Sequence, residues 1–291
     1  MRSATIWTFS LGLICIALFT LEARLESEIE PGDGSHVDPS PVLLGSGGGR
    51  ISWVDSDGTT EMLRYDGRVL EVFEHELYLL GDREITVIDL ETGAQRNIPI
   101  PSAIEYVLNL TVLPDSSIAL LDNQNDRVDF IDGSGDHLAT VSISHGFDDH
   151  WQNLEGVVVD HRLILSEDGR QRLLAIDLDS YEVSVFRNLR HLRRRGRSYP
   201  LSALAYAEGS FYIGQGEKIY AFTEDSEGEE LLTSLPDVSI TSLVIVDAYI
   251  YAVVVRSKEV YRIERSSGKT TVLARDVGEL WDLAFYPTSI P

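Results

Sequence analysis

Two loops hold the densest groups of chemically capable side chains in the sequence, and they flank the same stretch of predicted strands. The first loop, residues 144–153, contains imidazoles and carboxylates, both of which ligate divalent metals and exchange protons. His150 is its candidate catalytic base, and Trp151 is a candidate ligand contact. The spacing matches no ligand motif, so a solvated loop with Trp151 packed on the strands is the alternative.

The second loop, residues 188–199, concentrates positive charge in an acidic chain. It contains Arg193, Arg194, Arg195 and Arg197. Guanidinium groups bind oxyanions through two-point contacts, so the cluster predicts a site for a phosphate, sulfate or carboxylate group. The alternative is that these arginines pair with the protein's own carboxylates or lie in solvent.

A repeat organises the strands that must position both loops. Each copy contains two apolar strands, a polar turn, a third strand that ends in Ile-Asp or a similar pair, and a fourth strand. Equivalent anchor residues recur every 41 to 46 residues or so, which is the range of four-stranded propeller blades. These anchors are Ile88, Ile131, Ile176, Phe222 and Ile263.

The two ends of the chain supply a sixth copy. Residues 280–285 have the pattern of an inner strand, and residues 51–55 and 60–65 have the pattern of a third and a fourth strand. Joining the termini in one blade would close a ring and remove free sheet edges. The sequence therefore predicts an all-β, six-bladed β-propeller of four-stranded antiparallel blades over residues 42–291.

One copy resembles a known repeat. In residues 117–135, the positions of Asp122, Asn125, Arg127 and Val128 match the Asp-x-x-Asn-x-Arg-Val core of an NHL repeat. The other copies share only the strand and turn skeleton. The resemblance implies a six-bladed propeller of the NHL or TolB-like type, and such a fold does not by itself define a function.

The first polar residue of each inner strand is expected to point into the central channel. The segment Leu154-Glu155-Gly156 is similar to the Glu-Gly-Pro segment that supplies a metal ligand in the senescence-marker-protein and gluconolactonase family. This resemblance implies that Glu155 and Asn109 ligate Ca²⁺. Val157 stands in place of the proline, and a structural carboxylate is the alternative. The expected channel residues are Asn109, Glu155, Ser202, Thr241 and Asp282.

The N-terminal residues indicate an exported protein, and the charge limits its partners. Residues 1–23 have the pattern of a signal peptide, and residues 24–41 are predicted to form a flexible acidic tether. The chain would then be secreted or periplasmic, with an uncleaved N-terminal membrane anchor or a lipoprotein signal as alternatives. The net charge of −23 excludes nucleic acid as a partner of the surface as a whole. Cys15 is the only cysteine, so the mature domain has no disulfide.

We expect an exported binding or interaction module whose channel-mouth face holds a site for a protein or a small anionic ligand. The sequence contains no Gly-x-Ser-x-Gly elbow, phosphate-binding glycine loop or His-Glu-x-x-His helix. The alternative is a calcium-dependent hydrolase of the lactonase or phosphoester type. A third hypothesis is a structural propeller that partners recognise through its sides.

Overall fold

The protein is described by a computed structural model that covers residues 42–55, 58–65, 69–122, 124–143, 155–167, 170–192, 201–236 and 240–286. These residues form six antiparallel sheets of four strands each. The six-bladed propeller predicted from the repeat spacing is therefore confirmed. In the described residues, no helix is long and apolar enough to cross a membrane.

In each blade the four strands lie side by side, and they are named below in order from the channel outwards. Blade 1 contains β24 (Asp282–Tyr286), β1 (Val42–Gly47), β2 (Arg50–Asp55) and β3 (Gly58–Arg64). Blade 2 contains β4 (Val69–Phe73), β5 (Glu76–Leu80), β6 (Glu84–Asp89) and β7 (Gln95–Pro99). Blade 3 contains β8 (Val107–Val112), β9 (Ile118–Asp122), β10 (Arg127–Ile131) and β11 (His137–Ser142).

The other three blades have the same order. Blade 4 contains β12 (Gly156–Val159), β13 (Arg162–Glu167), β14 (Arg172–Asp177) and β15 (Val183–Asn188). Blade 5 contains β16 (Leu201–Ala207), β17 (Ser210–Gln215), β18 (Lys218–Thr223) and β19 (Glu230–Ser234). Blade 6 contains β20 (Ile240–Val246), β21 (Tyr249–Val254), β22 (Glu259–Glu264) and β23 (Thr270–Arg275).

The hydrophobic core lies between neighbouring blades. Side chains alternate between the two faces of a strand, so Leu77 and Leu79 of β5 pack toward blade 1 while Tyr78 and Leu80 pack toward blade 3. A second strand must therefore be apolar on both faces. This explains the uninterrupted apolar runs of the second strands, which do not show the alternation of a sheet that has one solvated face.

The first and last described strands meet in blade 1, as the repeat pattern predicted. β1 pairs antiparallel with β24 and places Leu44 opposite Ala284. Around the channel, the inner strand of each blade contacts the inner strands of both neighbours, which closes the ring. The structure adds the second strand of this blade, β1, to which the repeat pattern had assigned no residues.

The glycines of β1 have a packing reason. A Cβ atom on Gly47 would lie 1.5 Å from the backbone carbonyl oxygen of Glu279, and a Cβ atom on Gly45 would lie 2.4 Å from the Leu280 side chain. Only glycine lets the two termini approach this closely. The glycine-rich composition that resembles a linker is therefore a requirement of ring closure.

Successive links in an antiparallel blade alternate between the two ends of its strands. The links from an outer strand to the next inner strand consequently lie on the same side of the ring as the links between second and third strands. We call this side the mouth face. It includes the link after β7, which ends at Tyr106, and the link after β23, which ends at Trp281.

Candidate functional site

The central channel contains three carboxyl groups in one cavity of about 370 Å³. Glu71 comes from β4 of blade 2, Glu155 directly precedes β12 of blade 4, and Asp282 is the first residue of β24 in blade 1. Asn109 of β8 lines the same cavity. The structure therefore brings together Asn109, Glu155 and Asp282, three of the side chains that the sequence placed at the channel.

Hydrogen bonds from the channel side chains reach across to neighbouring blades. The Glu155 carboxylate accepts a bond of 2.8 Å from the Leu204 backbone N–H of blade 5. Glu71 accepts one of 3.0 Å from the Val112 N–H of blade 3. These carboxylates satisfy inner-strand donors that would otherwise be left without a partner in the channel.

Asp282 joins blade 1 to both of its neighbours. Its Oδ2 atom accepts from the Leu70 N–H of blade 2 at 3.3 Å, and its Oδ1 atom accepts from the Ser242 hydroxyl of blade 6 at 2.9 Å. The Ser202 hydroxyl of blade 5 donates to the Ile240 carbonyl of blade 6. Among the described residues, such bonds join five of the six neighbouring blade pairs.

The prediction that Thr241 lines the channel is wrong, because Ser242 lines the cavity in its place. The cause is an irregularity of strand register between Ile240 and Ser242, which shifts the side chains by one position. A corresponding irregularity lies between Leu201 and Ala203. Ser202 accordingly turns to the Ile240 carbonyl of the next blade.

Burial changes the acidity of the channel carboxyls. It raises the pKa of Glu71 to about 8, and the charge of Asp282 adds to this while the Val112 N–H opposes it. Burial likewise raises the pKa of Glu155 well above its usual range, again with a contribution from Asp282. The pKa of Asp282 rises to about 6 because of burial, against the bonds from Ser242, Leu70 and Leu283. Near neutral pH the cavity therefore holds protonated carboxyls as well as charged ones.

The channel resembles a cation site only in the kinds of oxygen atoms that line it. Carboxylate, amide and hydroxyl oxygens are the ligands that Ca²⁺ prefers, and all three kinds line the cavity. However, no group of three or more His, Cys, Asp or Glu side chains within the described ranges is arranged to hold a metal ion. The calcium site expected at Glu155 and Asn109 stays a prediction.

The candidate site side chains of the two loops lie outside the described residues. This applies to the candidate base His150, to Trp151, and to Arg193, Arg194, Arg195 and Arg197. The beginning of the arginine loop is described and is anchored to the next blade. There, the buried Glu229 carboxylate of blade 5 lies 2.5 Å from Arg187 of β15 and 2.5 Å from the exposed His191.

The residues that resembled an NHL repeat fasten a turn. Asp122 is fully buried and accepts bonds from the Asn125 side chain at 2.7 Å and from Arg127 at 3.1 Å. Blade 4 contains an equivalent pair that the sequence analysis missed, since the buried Glu167 is bonded to Arg172 at the same position of the blade. The signal was an acid and an arginine five residues apart in both copies. These buried ion pairs have a structural role at the turns.

The comparisons with known proteins agree with the propeller fold. The family model described as outer membrane protein assembly factor BamB matches residues 44–184, slightly less than half of the chain. No curated protein sequence matches the chain.

Solved structures extend the likeness to most of the molecule. A chain in the crystal structure of a nidogen/laminin complex superposes with a TM-score of 0.67 at 13% identity, covering 86% of this chain and 99% of that one. A streptogramin B lyase structure superposes with a TM-score of 0.58 at 13% identity, covering 84% and 86%. At this identity the similarity establishes the fold, and the chain is a six-bladed β-propeller.

Proposed function

We propose that this protein is an exported β-propeller that binds a protein partner through its mouth face. Two of the similar proteins support an interaction role by their descriptions, since one is an assembly factor and the other is part of a complex. The signal peptide predicted for residues 1–23 supports a location outside the cytoplasm. The channel carboxylates support the same function, because they are engaged in joining blades.

The observation that carries the proposal is the exposure of two large aromatic side chains on the mouth face. Trp281 is 52% exposed and Tyr106 is 46% exposed. Tryptophan and tyrosine are the residues most enriched among those that dominate protein–protein binding energy, since they bury a large area and can form a hydrogen bond. Both precede inner strands, so they stand beside the channel opening.

The arginine loop adds a complementary element to this face. Arg193, Arg194, Arg195 and Arg197, with Trp151 from the preceding mouth-face link, would contact carboxylate or phosphate groups of the partner or of a small anionic ligand. At the start of this link, the exposed His191 lies 2.5 Å from Glu229, which also pairs with Arg187 of β15. The proposed face thus combines aromatic anchors at blades 1 and 3 with the chain link from blade 4 to blade 5, whose sequence contains the arginines.

The test compares two side chains of equal exposure. Trp281 and Leu231 are each 52% exposed, but Leu231 lies on the outer strand β19, at the side of the ring. Trp281→Ala is expected to weaken capture of the native partner from envelope extracts at least tenfold, while Leu231→Ala leaves it unchanged. If only Leu231→Ala failed to capture the partner, the result would instead favour a propeller that partners recognise through its sides.

A calcium-dependent hydrolase is the second candidate function, and the shared cavity is the observation that favours it. Glu155 and Asn109 would bind the ion, His150 would act as the base, and the arginine loop would hold an anionic substrate. Calorimetric titration of calcium into the wild-type protein and Glu155→Gln tests this function. Saturable binding that the substitution abolishes would support the hydrolase, whereas no binding to either protein would exclude it.

A further inference from the structure

A smaller concavity of about 160 Å³ lies on the mouth face where blades 2 and 3 meet. One wall is the link between β5 and β6, which contains Asp82. The other wall is the end of the link before β8, which contains Glu105 and Tyr106, together with Leu108 of β8. Sites for drug-sized ligands are typically several hundred Å³ in volume. The space therefore suits one long side chain.

The apolar part of the pocket is open to a partner. Tyr106 is 46% exposed and Leu108 is 41% exposed. Leu108 lies between Val107 and Asn109, where the strand register of β8 is irregular. An aromatic ring next to an aliphatic side chain provides the surface on which the methylene groups of a lysine or arginine pack.

The polar part of the pocket is negative. Asp82 and Glu105 are exposed, and no described residue forms an ion pair with either one. Arg83 in the same turn donates to the Ile104 carbonyl at 3.4 Å, so this cation is oriented by the backbone. Burial raises the pKa of the neighbouring Tyr65 to about 12, and the negative charges of Glu84 and Asp82 add to this increase.

We propose that this pocket binds a lysine or arginine side chain from a basic segment of the partner protein. The cation lies between the carboxylates of Asp82 and Glu105 and over the face of Tyr106, where a cation–π contact adds to the charge attraction. The net charge of −23 steers such a segment toward the protein. The inference rests on the proposed function and specifies the chemistry of the partner.

The test is fluorescence anisotropy with a labelled Gly-Ser peptide that contains two arginines, beside the same peptide with citrulline in their place. Asp82→Asn/Glu105→Gln removes two charges at the pocket. The matched control Glu91→Gln/Asp179→Asn removes one aspartate and one glutamate from exposed turns elsewhere. We expect the pocket variant to bind the arginine peptide at least fivefold more weakly than the control variant, and Tyr106→Leu to bind it two- to fivefold more weakly than the wild type.

Three results would overturn the inference. Equal weakening in the pocket and control variants would mean that the whole acidic surface attracts the peptide. Equal affinity for the arginine and citrulline peptides would mean that the pocket does not recognise a cation. If Trp281→Ala abolishes partner capture while the pocket variants retain it, the proposed function stands and the inference about the basic segment fails.

Discussion

The Glu155 carboxylate on blade 4 accepts a 2.8 Å hydrogen bond from the backbone N–H of Leu204 on blade 5. The residue that most resembled a metal ligand in the sequence is thus a bridge between inner strands. Glu71 and Asp282 form corresponding bridges at other junctions. The polar residues of the channel join a ring of blades whose apolar cores lie farther out.

We predict that Glu155→Ala lowers the free energy of unfolding by roughly 1–3 kcal/mol, because the Leu204 N–H loses its acceptor. Glu155→Gln keeps a carbonyl oxygen at that position and should cost less than half as much. The exposed Glu230→Ala is the control and should change stability by at most about 0.5 kcal/mol. Urea unfolding measures all three. Equal stability of the alanine and glutamine variants would contradict the bridging role.

The stability of the domain should fall as the pH rises from about 4.5 to about 8. A carboxyl whose pKa is higher in the folded than in the unfolded protein binds its proton more tightly when folded, so raising the pH through this interval favours unfolding. Glu71, with a pKa near 8, and Glu155, whose pKa burial raises well above its usual range, should both contribute to this fall. Unfolding midpoints measured at pH 5 and pH 8 give the change, and Glu71→Gln should flatten it. If the stability of Glu71→Gln changed with pH in the same way as that of the wild type does, Glu71 would be ionised in the folded protein.

Arg172→Met should destabilise the protein by roughly 2–4 kcal/mol, because it leaves the fully buried Glu167 without its principal partner. Arg96→Met is the matched change in a half-exposed pair with Glu76 and should cost about 1 kcal/mol or less. Chemical denaturation of both variants measures the difference. Similar losses would mean that the pair in blade 4 contributes no more than a surface contact.

Gly47→Ala should impair closure of the ring, since the new methyl group would collide with the Glu279 carbonyl oxygen. We expect a loss of roughly 1–3 kcal/mol and a greater tendency to aggregate as β24 separates from β1. Gly228→Ala is the control, because no heavy atom lies within 4 Å of the added carbon. Thermal unfolding followed by light scattering distinguishes the two. A stable, monomeric Gly47→Ala variant would contradict the close approach.

The sequence was sufficient to predict the architecture because the repeat recurs in the apolar runs and in the Asp-containing turns. Asp89, Asp132 and Asp177 each accept backbone N–H bonds within the turn that follows a third strand. β1 was missed because its glycines resemble a loop. Their cause is the contact with Glu279 and Leu280, which are distant in sequence.

The channel residues were only partly predictable. Asn109, Glu155 and Asp282 were placed correctly by alignment of the copies, whereas Ser202 and Thr241 do not line the cavity, because each lies at an irregularity of strand register that has no sequence signature. Glu71 was overlooked because no inner strand had been assigned to blade 2. The bridges between blades depend on the spacing of neighbouring sheets, and a pattern read along a single strand does not contain that information.

Site-specific photo-cross-linking in the source cells tests the central claim most directly. A photoreactive residue at position 281 probes the mouth face, and one at position 91, in an exposed turn between a third and a fourth strand, probes the opposite face. We expect a discrete protein adduct from position 281 and none from position 91. An adduct from position 91 alone, or equal adducts from both, would contradict binding through the mouth face.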